Sequence, residues 1–421
     1  MNTRFYNGHV LTMAGGMEIT GDEVWVQDDK ISYVGPARED MPKFDREIDL
    51  KGNLLMPGFK NAHTHSAMTF ARSLADDMPL QPWLFEKIFP MEEKLTPERV
   101  YMLNKLAVME YVSSGITASF DMYFFRDAFA QSNIDTGFRS VICGVGGSYE
   151  FMDDEYNKYN KLNPLISYIP GFHAEYTTSL DDMKAVAALA KNYKAPVFTH
   201  NSETESEFNE CIARHGMTPT ALFESLGMFE YGGGGYHCVW LSDEDIDIFS
   251  RRGASVVTNP CSNAKLASGI APLTKMMEKG VNIAIGTDGP SSNNALDFFR
   301  EMYLMTVLQK LRDKDAAACD ADLVLKAATV GGAKAMFLND CDVIAEGKQA
   351  DMIVIDLMRP NMQPVNNLTK NIVYSGSKEN VKLTMIAGKI LYENGEFYIG
   401  EEPGKVYAEA NRITQEMLAE M

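Results

Sequence analysis

The spacing of apolar and polar positions changes along the chain, and the changes divide it. Roughly the first fifty residues read as strands, because EVWVQDDKISYVG is two β-rich runs around Asp28, Asp29 and Lys30, the mark of a hairpin. The C-terminal region has the same character: ADMIVIDL and VKLTMIAGKILYENGEFY are short β-rich runs broken by AGK and NGE turns. Both ends together predict one small β module.

Between the ends, helix and strand patterns alternate. Thr96, with Pro97 at the first helical position, opens PERVYMLNKLAVMEYVSSG ahead of the strand ITASFDMYF. Ser179, with Asp182 three residues on, caps the helical period of SLDDMKAVAALAKNYK, and APVFTH follows as a strand. Ser242 and Asp245 open the next helix, Gly253 closes it, and ASVVTNP is the strand. LTKMMEKG then precedes VNIAIGTDG, with Gly280 in the turn. Repeated helix–strand units imply a parallel sheet, and closure into a (β/α)8 TIM barrel is the most economical α/β architecture. A doubly wound open sheet is the alternative, but no G-x-G-x-x-G follows the first strand.

Composition narrows the function. With 421 residues, 45% hydrophobic and 23% charged, the chain has room for a barrel of about 250 residues or more plus the module. No apolar run approaches the roughly 20 residues that span a bilayer, and the N-terminus lacks the pattern of a secretory signal, so no membrane partner and a cytoplasmic location are expected. A net charge of −19 disfavours nucleic acid and favours a small neutral or cationic ligand. Six scattered cysteines read as reduced, mostly buried thiols. Homo-oligomerisation is left open.

In a barrel of this kind catalytic groups lie at the C-terminal ends of strands, so what each strand ends on is informative. LLMPGFKNAHTH ends on His63 and His65, ISYIPGFH on His173 and APVFTH on His200; GGYHCVWL carries His237, and VNIAIGTDG leads to Asp288. Of seven histidines, only His9 and His215 fall elsewhere. Each alone reads equally well as a hydrogen-bonded strand end. As a group, three imidazoles and a carboxylate suit Zn²⁺ or Fe²⁺ with one position left for water. His63, His65, His200 and Asp288 are the expected ligands of one divalent ion, with His237 and His173 around them; spacing alone does not separate His237 from His200 as the third imidazole. Such a site makes hydroxide available near neutral pH, which points to hydrolysis. Glu203, three residues after His200, is the candidate proton shuttle. Glu205 and Glu207 are expected to be solvated residues at a helix start.

The phrases MPGFKNAHTHSAMT, WLFEKIFPMEEKLTPE, HNSETESE, HCVWLSDE, NPCSNAKLASGIAPL and GTDGPSSNNALDFFREM together resemble the amidohydrolase superfamily, in particular its S-adenosylhomocysteine/methylthioadenosine deaminase branch, along nearly the whole chain. The resemblance implies a (β/α)8 barrel over 56–345 and a small β-sandwich domain composed of 1–55 and 346–421. It implies one divalent metal, usually zinc. Glu203 is then the proton shuttle, Asp288 both ligand and base for the attacking water, His237 a stabiliser of developing charge, His173 a contact to the purine and Glu92 the partner of the ribose hydroxyls. The bridging lysine of binuclear members is missing after the fourth strand, where LISYIPGFHAEY offers His173. Trp83 is a candidate pocket wall or a core residue.

Three departures stand out. SVICGVGG has Cys143 and Gly144 where an Arg-Gly pair is expected to meet the amino-acid tail of S-adenosylhomocysteine, and Arg139 is the one nearby candidate to compensate. Thr258 stands where many relatives have histidine, and Gly232 to Gly235 read as a turn or loop. The expected activity is hydrolytic deamination of an adenine nucleoside: adenosine, 5′-deoxyadenosine or 5′-methylthioadenosine, with S-adenosylhomocysteine behind them. The alternatives are an aminohydrolase or chlorohydrolase acting on guanine or an oxidised purine, a pterin or a triazine, and a catalytically silent barrel scaffold.

Overall fold

The computed structural model describes residues 2–421. Among these, eight strands form two four-stranded parallel sheets. The first holds β1 (Phe59–Thr64), β2 (Ile116–Asp121), β3 (Arg139–Cys143) and β4 (Ile166–Ile169), paired in sequence order. The second holds β5 (Val197–Asn201), β6 (Gly233–His237), β7 (Ser255–Thr258) and β8 (Asn282–Ile285), again in sequence order. The sheets meet along two seams. On one, Gly171 bridges Phe198 in parallel, and the His200 N–H donates to the His173 carbonyl at 3.0 Å. On the other, the Asp288 N–H donates to the His63 carbonyl at 3.0 Å, and the Thr287 N–H to Asn61 Oδ1 at 2.9 Å.

Side chains at the helix starts take up the otherwise unpaired first-turn amides. In α1 (Pro97–Ser113) Thr96 accepts from the Arg99 N–H, and in α2 (Leu180–Tyr193) Ser179 accepts from the Asp182 N–H. In α3 (Asp243–Arg252) Ser242 and Asp245 bond reciprocally, and Gly253 closes the helix at φ 62°.

Of the run Gly232–Gly235, read from its composition as a turn or loop, Gly232 alone lies in one, at φ 83°. Gly233–His237 is β6, buried between β5 and β7. A Cβ on Gly233 would lie 2.1 Å from the Val197 carbonyl oxygen, and one on Gly234 2.2 Å from that of Ser255. Glycine is required here by close approach of backbones, not by a turn.

Both chain ends pair in one seven-stranded sheet, where Leu54–Pro57 lies antiparallel to Met352–Ile355. A four-stranded sheet of Asn2–Tyr6, Glu23–Gln27, Lys30–Gly35 and Arg46–Asp49 contains the expected hairpin across Asp28 and Asp29. Phe5, Val24 and Val26 from the latter share an apolar cluster with Leu55, Val354 and Met385 from the former. The last helix, α4 (Pro403–Ala419), joins neither sheet. Its Ala410, Ile413 and Met417 cluster with Val100 and Leu103 of α1, and Glu420 accepts two hydrogen bonds from Arg99.

Arg139 cannot serve the tail of a substrate. It lies at the start of β3, 5% exposed, and its guanidinium holds Asp351 bidentately at 2.7 and 3.0 Å. Lys60, fully buried, lies 3.9 Å from the same carboxylate. This ion cluster ties the strand starts to the segment entering Met352–Ile355. Among the described residues, no helix is long and apolar enough to cross a membrane.

Candidate functional site

A cavity of about 360 Å³ is lined by residues at the C-terminal ends of strands from both parallel sheets. His65 follows β1, His173 follows β4, Glu203 follows β5, His237 ends β6 and Asp288 follows β8; all line it, as do His200 and Glu92. His63 lies beneath, fully buried, its ring stacked on Tyr236 with centroids 3.8 Å apart.

Two overlapping sets of side chains present ligand atoms within 4.8 Å of one another: His63, His65 and His200, and His63, His237 and Asp288. Asp288 Oδ1 lies 3.3 Å from His65 Nε2 and 3.6 Å from His63 Nε2. Backbone carbonyls orient the rings. His65 Nδ1 donates to Met122 O and His200 Nδ1 to His173 O, each at 2.7 Å, leaving both Nε2 atoms toward the cavity.

Burial pushes the pKa of His63 down to about 3 and that of His200 well below the usual histidine range, so both are neutral imidazoles. Burial opposes charge on His65 too, but Asp288 outweighs it and holds His65 up at about 9. Asp288 is held well below the usual carboxylate range by His63 and His65, against its own burial. Neutral His63 and His200 facing the ionised Asp288 are already in the protonation states that ligate a cation, and a cation taking the place of the His65–Asp288 proton would bind His65 as the neutral imidazole. Both ring nitrogens of His63 and Nε2 of His237 are buried and make no hydrogen bond; Asp288 Oδ1 and Glu203 Oε2 lie 3.6 and 3.9 Å from the two Nε2 atoms. Such atoms need a ligand, so the donor set fits a divalent metal.

Beside this group, Glu203 Oε2 lies 3.9 Å from His237 Nε2. The turn carrying Glu203 is held by Glu207, whose carboxylate accepts from the N–H groups of Ser202 and Glu203 at 2.9 and 2.8 Å. Glu207 is therefore not the solvated helix-start residue that its position suggests, and burial pushes its pKa up to about 7; Glu205 is exposed as expected. Glu92 sits across the cavity beside Tyr123, raised by burial to about 7. Trp83, Leu84, Phe89 and Phe124 supply apolar walls. The lining includes three carboxylates and, among the described residues, no lysine or arginine. Cys143 does not reach the cavity; its thiol lies under Tyr236, whose hydroxyl donates to it at 3.3 Å.

The sequence profile of the amidohydrolase family matches residues 54–391. The chain belongs to the amidohydrolase family. It is 39% identical over 387 residues to a 5-methylthioadenosine/S-adenosylhomocysteine deaminase of Thermoanaerobacter pseudethanolicus, covering 89% of each chain. It is 37% identical over 412 residues to a 5′-deoxyadenosine deaminase of Methanopyrus kandleri, covering 93% of this chain and 96% of that one. Among solved structures, an adenosine deaminase from Xanthomonas campestris with bound zinc superposes with a TM-score of 0.94 at 32% identity, covering 99% of this chain and 98% of that one.

Some residues of this amidohydrolase site carry no obvious signal in the sequence. Asp121 ends β2 and is buried, with Oδ2 accepting the Ser66 N–H at 2.8 Å; burial raises its pKa to about 6. Its place at the end of ITASFD is the one available clue. Ser262 and Ser292 both donate to Asp288 Oδ2, at 2.6 and 2.9 Å.

Proposed function

We propose that this amidohydrolase deaminates an adenine nucleoside with a small uncharged 5′ group, such as 5′-deoxyadenosine or 5′-methylthioadenosine, giving the inosine analogue and ammonia. The observation that carries this reading is the juxtaposition of Glu203, His237 and Asp288 around a cation-binding donor set in one largely apolar cavity.

His63, His65, His200 and Asp288 would hold one divalent ion, zinc before Fe²⁺. Such an ion would supply a water molecule acidified toward a pKa of about 7. Asp288, fixed by two serine hydroxyls, receives the proton of the water that adds to C6 of the purine. Glu203 delivers a proton to ring N1. His237 presents Nε2 toward the oxygen that gains charge at C6. As the C–N bond breaks, the proton held by Asp288 passes to nitrogen, which departs as ammonia, and the new C6 hydroxyl becomes the carbonyl by returning its proton to Glu203. His173, with Nδ1 and Thr177 Oγ1 2.7 Å apart, orients the base, and Glu92 accepts from the ribose hydroxyls.

S-adenosylhomocysteine fits less well because no lysine or arginine among the described lining residues offers its carboxylate a partner. The eight parallel strands would close as a (β/α)8 barrel within 56–345. Residues 1–55 and 346–421 would supply the β-sandwich domain, α4 extending from it onto α1. Steady-state assays of ammonia release and ultraviolet change on zinc-loaded protein test the substrate reading. The expected order of kcat/KM is 5′-deoxyadenosine and 5′-methylthioadenosine well above S-adenosylhomocysteine. Reaction of a guanine, pterin or triazine with no adenine nucleoside turned over contradicts it.

A further inference from the structure

The segment Asn259–Ser268, NPCSNAKLAS, belongs to none of the strands that carry the site. It leaves the end of β7 as the short helix Pro260–Lys265 and then turns back. Three of its side chains each hold a different reacting group. Ser262 Oγ donates to Asp288 Oδ2 at 2.6 Å, Asn263 Oδ1 accepts from His237 Nδ1 at 2.7 Å, and Ser268 Oγ donates to Glu203 Oε1 at 3.0 Å. The held groups come from three separate places, after β8, at the end of β6 and after β5. One ten-residue stretch is thus the common support of all three.

The segment is itself locked. The Cys261 N–H donates to the Glu301 carboxylate at 3.0 Å, and the Ser268 N–H to the Asn263 carbonyl at 2.9 Å. The Ser268 carbonyl accepts from Trp240 Nε1 at 2.9 Å. Left-handed Ala267, φ 56°, and Gly269, φ 128°, flank Ser268 and turn its hydroxyl inward; a Cβ on Gly269 would lie 2.8 Å from Val239. Ser262, Asn263 and Ser268 are all buried, Ser268 being 6% exposed.

We propose that residues 262–268 act as one positioning brace for the catalytic groups, with Ser268 setting the carboxylate of Glu203 and Asn263 setting the imidazole of His237. A glutamate has three side-chain torsions, and proton transfer tolerates little misplacement. The Ser268 hydroxyl ties down Oε1 and leaves Oε2 toward His237 and the cavity. Asn263 takes the Nδ1–H of His237 and so directs Nε2 inward, the tautomer or cation that can serve an oxygen at C6. Ser268 and Asn263 act only through the groups they hold, so they should alter turnover more than substrate affinity. The inference rests on the deaminase reading of Glu203 and His237.

A double-mutant cycle on zinc-loaded protein with 5′-methylthioadenosine tests it. In Ser268→Ala, kcat falls about tenfold while KM stays within about twofold. Zinc per chain is unchanged, and Ser268→Thr, which keeps the hydroxyl, recovers most of the loss. In Glu203→Gln, where kcat is already down by about 100-fold or more, adding Ser268→Ala changes nothing further. Wild-type kcat in Ser268→Ala, an equal fractional loss in both backgrounds, or loss of zinc overturns the brace while leaving the deaminase reading standing. Wild-type kcat in Glu203→Gln overturns that reading and the brace with it. If Ser268→Ala does not fold, Asn263→Ala and Asn263→Asp carry the same comparison through His237. Turnover lost in the first and retained in the second supports the brace, and turnover retained in both overturns it.

Discussion

Glu92 combines burial, a cavity-facing position and the neighbouring Tyr123, and its carboxyl is pushed up to about 7, the burial outweighing Tyr123 and His65. Below that pH it is neutral; above it, it is the carboxylate that best accepts hydroxyl hydrogens. KM for 5′-deoxyadenosine is therefore expected to fall as pH rises from about 6 to about 8. In Glu92→Gln, KM should be higher and should lose that step; a step of equal size in the variant contradicts the assignment. The sign for stability is the reverse. Only the unfolded chain ionises Glu92 between its ordinary value of 4.5 and about 7, so its contribution is fully present at low pH and is lost as pH rises through 7. Among single residues, the gathering of His63, His65, His200 and Asp288 at one place was legible because each lies at or just beyond the end of a recognisable strand pattern. Ser268 and Asn263 were not. Their partners lie 65 and 26 positions away, and a serine or asparagine in a loop-like stretch carries no mark of what it holds.

At the scale of elements, helix starts were legible because capping is local: Thr96, Ser179 and Ser242 each bond within their own first turn. β6 was legible only in part: GGYHCVWL reads as the strand carrying His237, but the glycines before Tyr236 have neither alternation nor branched side chains, and only the neighbours β5 and β7 explain their place in it. Gly234→Ala would set a methyl against the Ser255 carbonyl oxygen and the Phe198 ring, at 2.2 and 2.6 Å. The backbone atom cannot swing aside as a side chain can, so a loss of roughly 2 kcal/mol or more is expected in urea unfolding. An unchanged midpoint contradicts the close-packed account of this strand. Glu207 shows the same limit differently: an acidic residue in a first helical turn reads the same whether it faces water or, as here, supports the Glu203 turn.

Across the whole molecule, the buried Lys60–Asp351–Arg139 cluster joins the strand starts to the seven-stranded sheet, at the opposite end of β3 from the cavity. Arg139→Ala removes the bidentate partner and leaves Asp351 with Lys60 at 3.9 Å. Stability should drop by about 3 kcal/mol. Since none of these three residues lines the cavity, kcat/KM of the folded variant should stay near wild type at low temperature. Unfolding monitored by calorimetry, beside kinetics well below the transition, separates the two effects. The pairing of both chain ends in one sheet was foreshadowed by their shared β-rich pattern. The packing of α4 on α1 was not, because an amphipathic helix does not name its partner. The central claim is that water replaces the 6-amino group of an adenine nucleoside. Its most direct test is turnover of 5′-methylthioadenosine by zinc-loaded protein in ¹⁸O-labelled water, with mass spectrometry of the product and assay of ammonia. One labelled oxygen on the purine ring and one ammonia per nucleoside consumed is the predicted result; unaltered nucleoside, or cleavage elsewhere with the amino group retained, contradicts it.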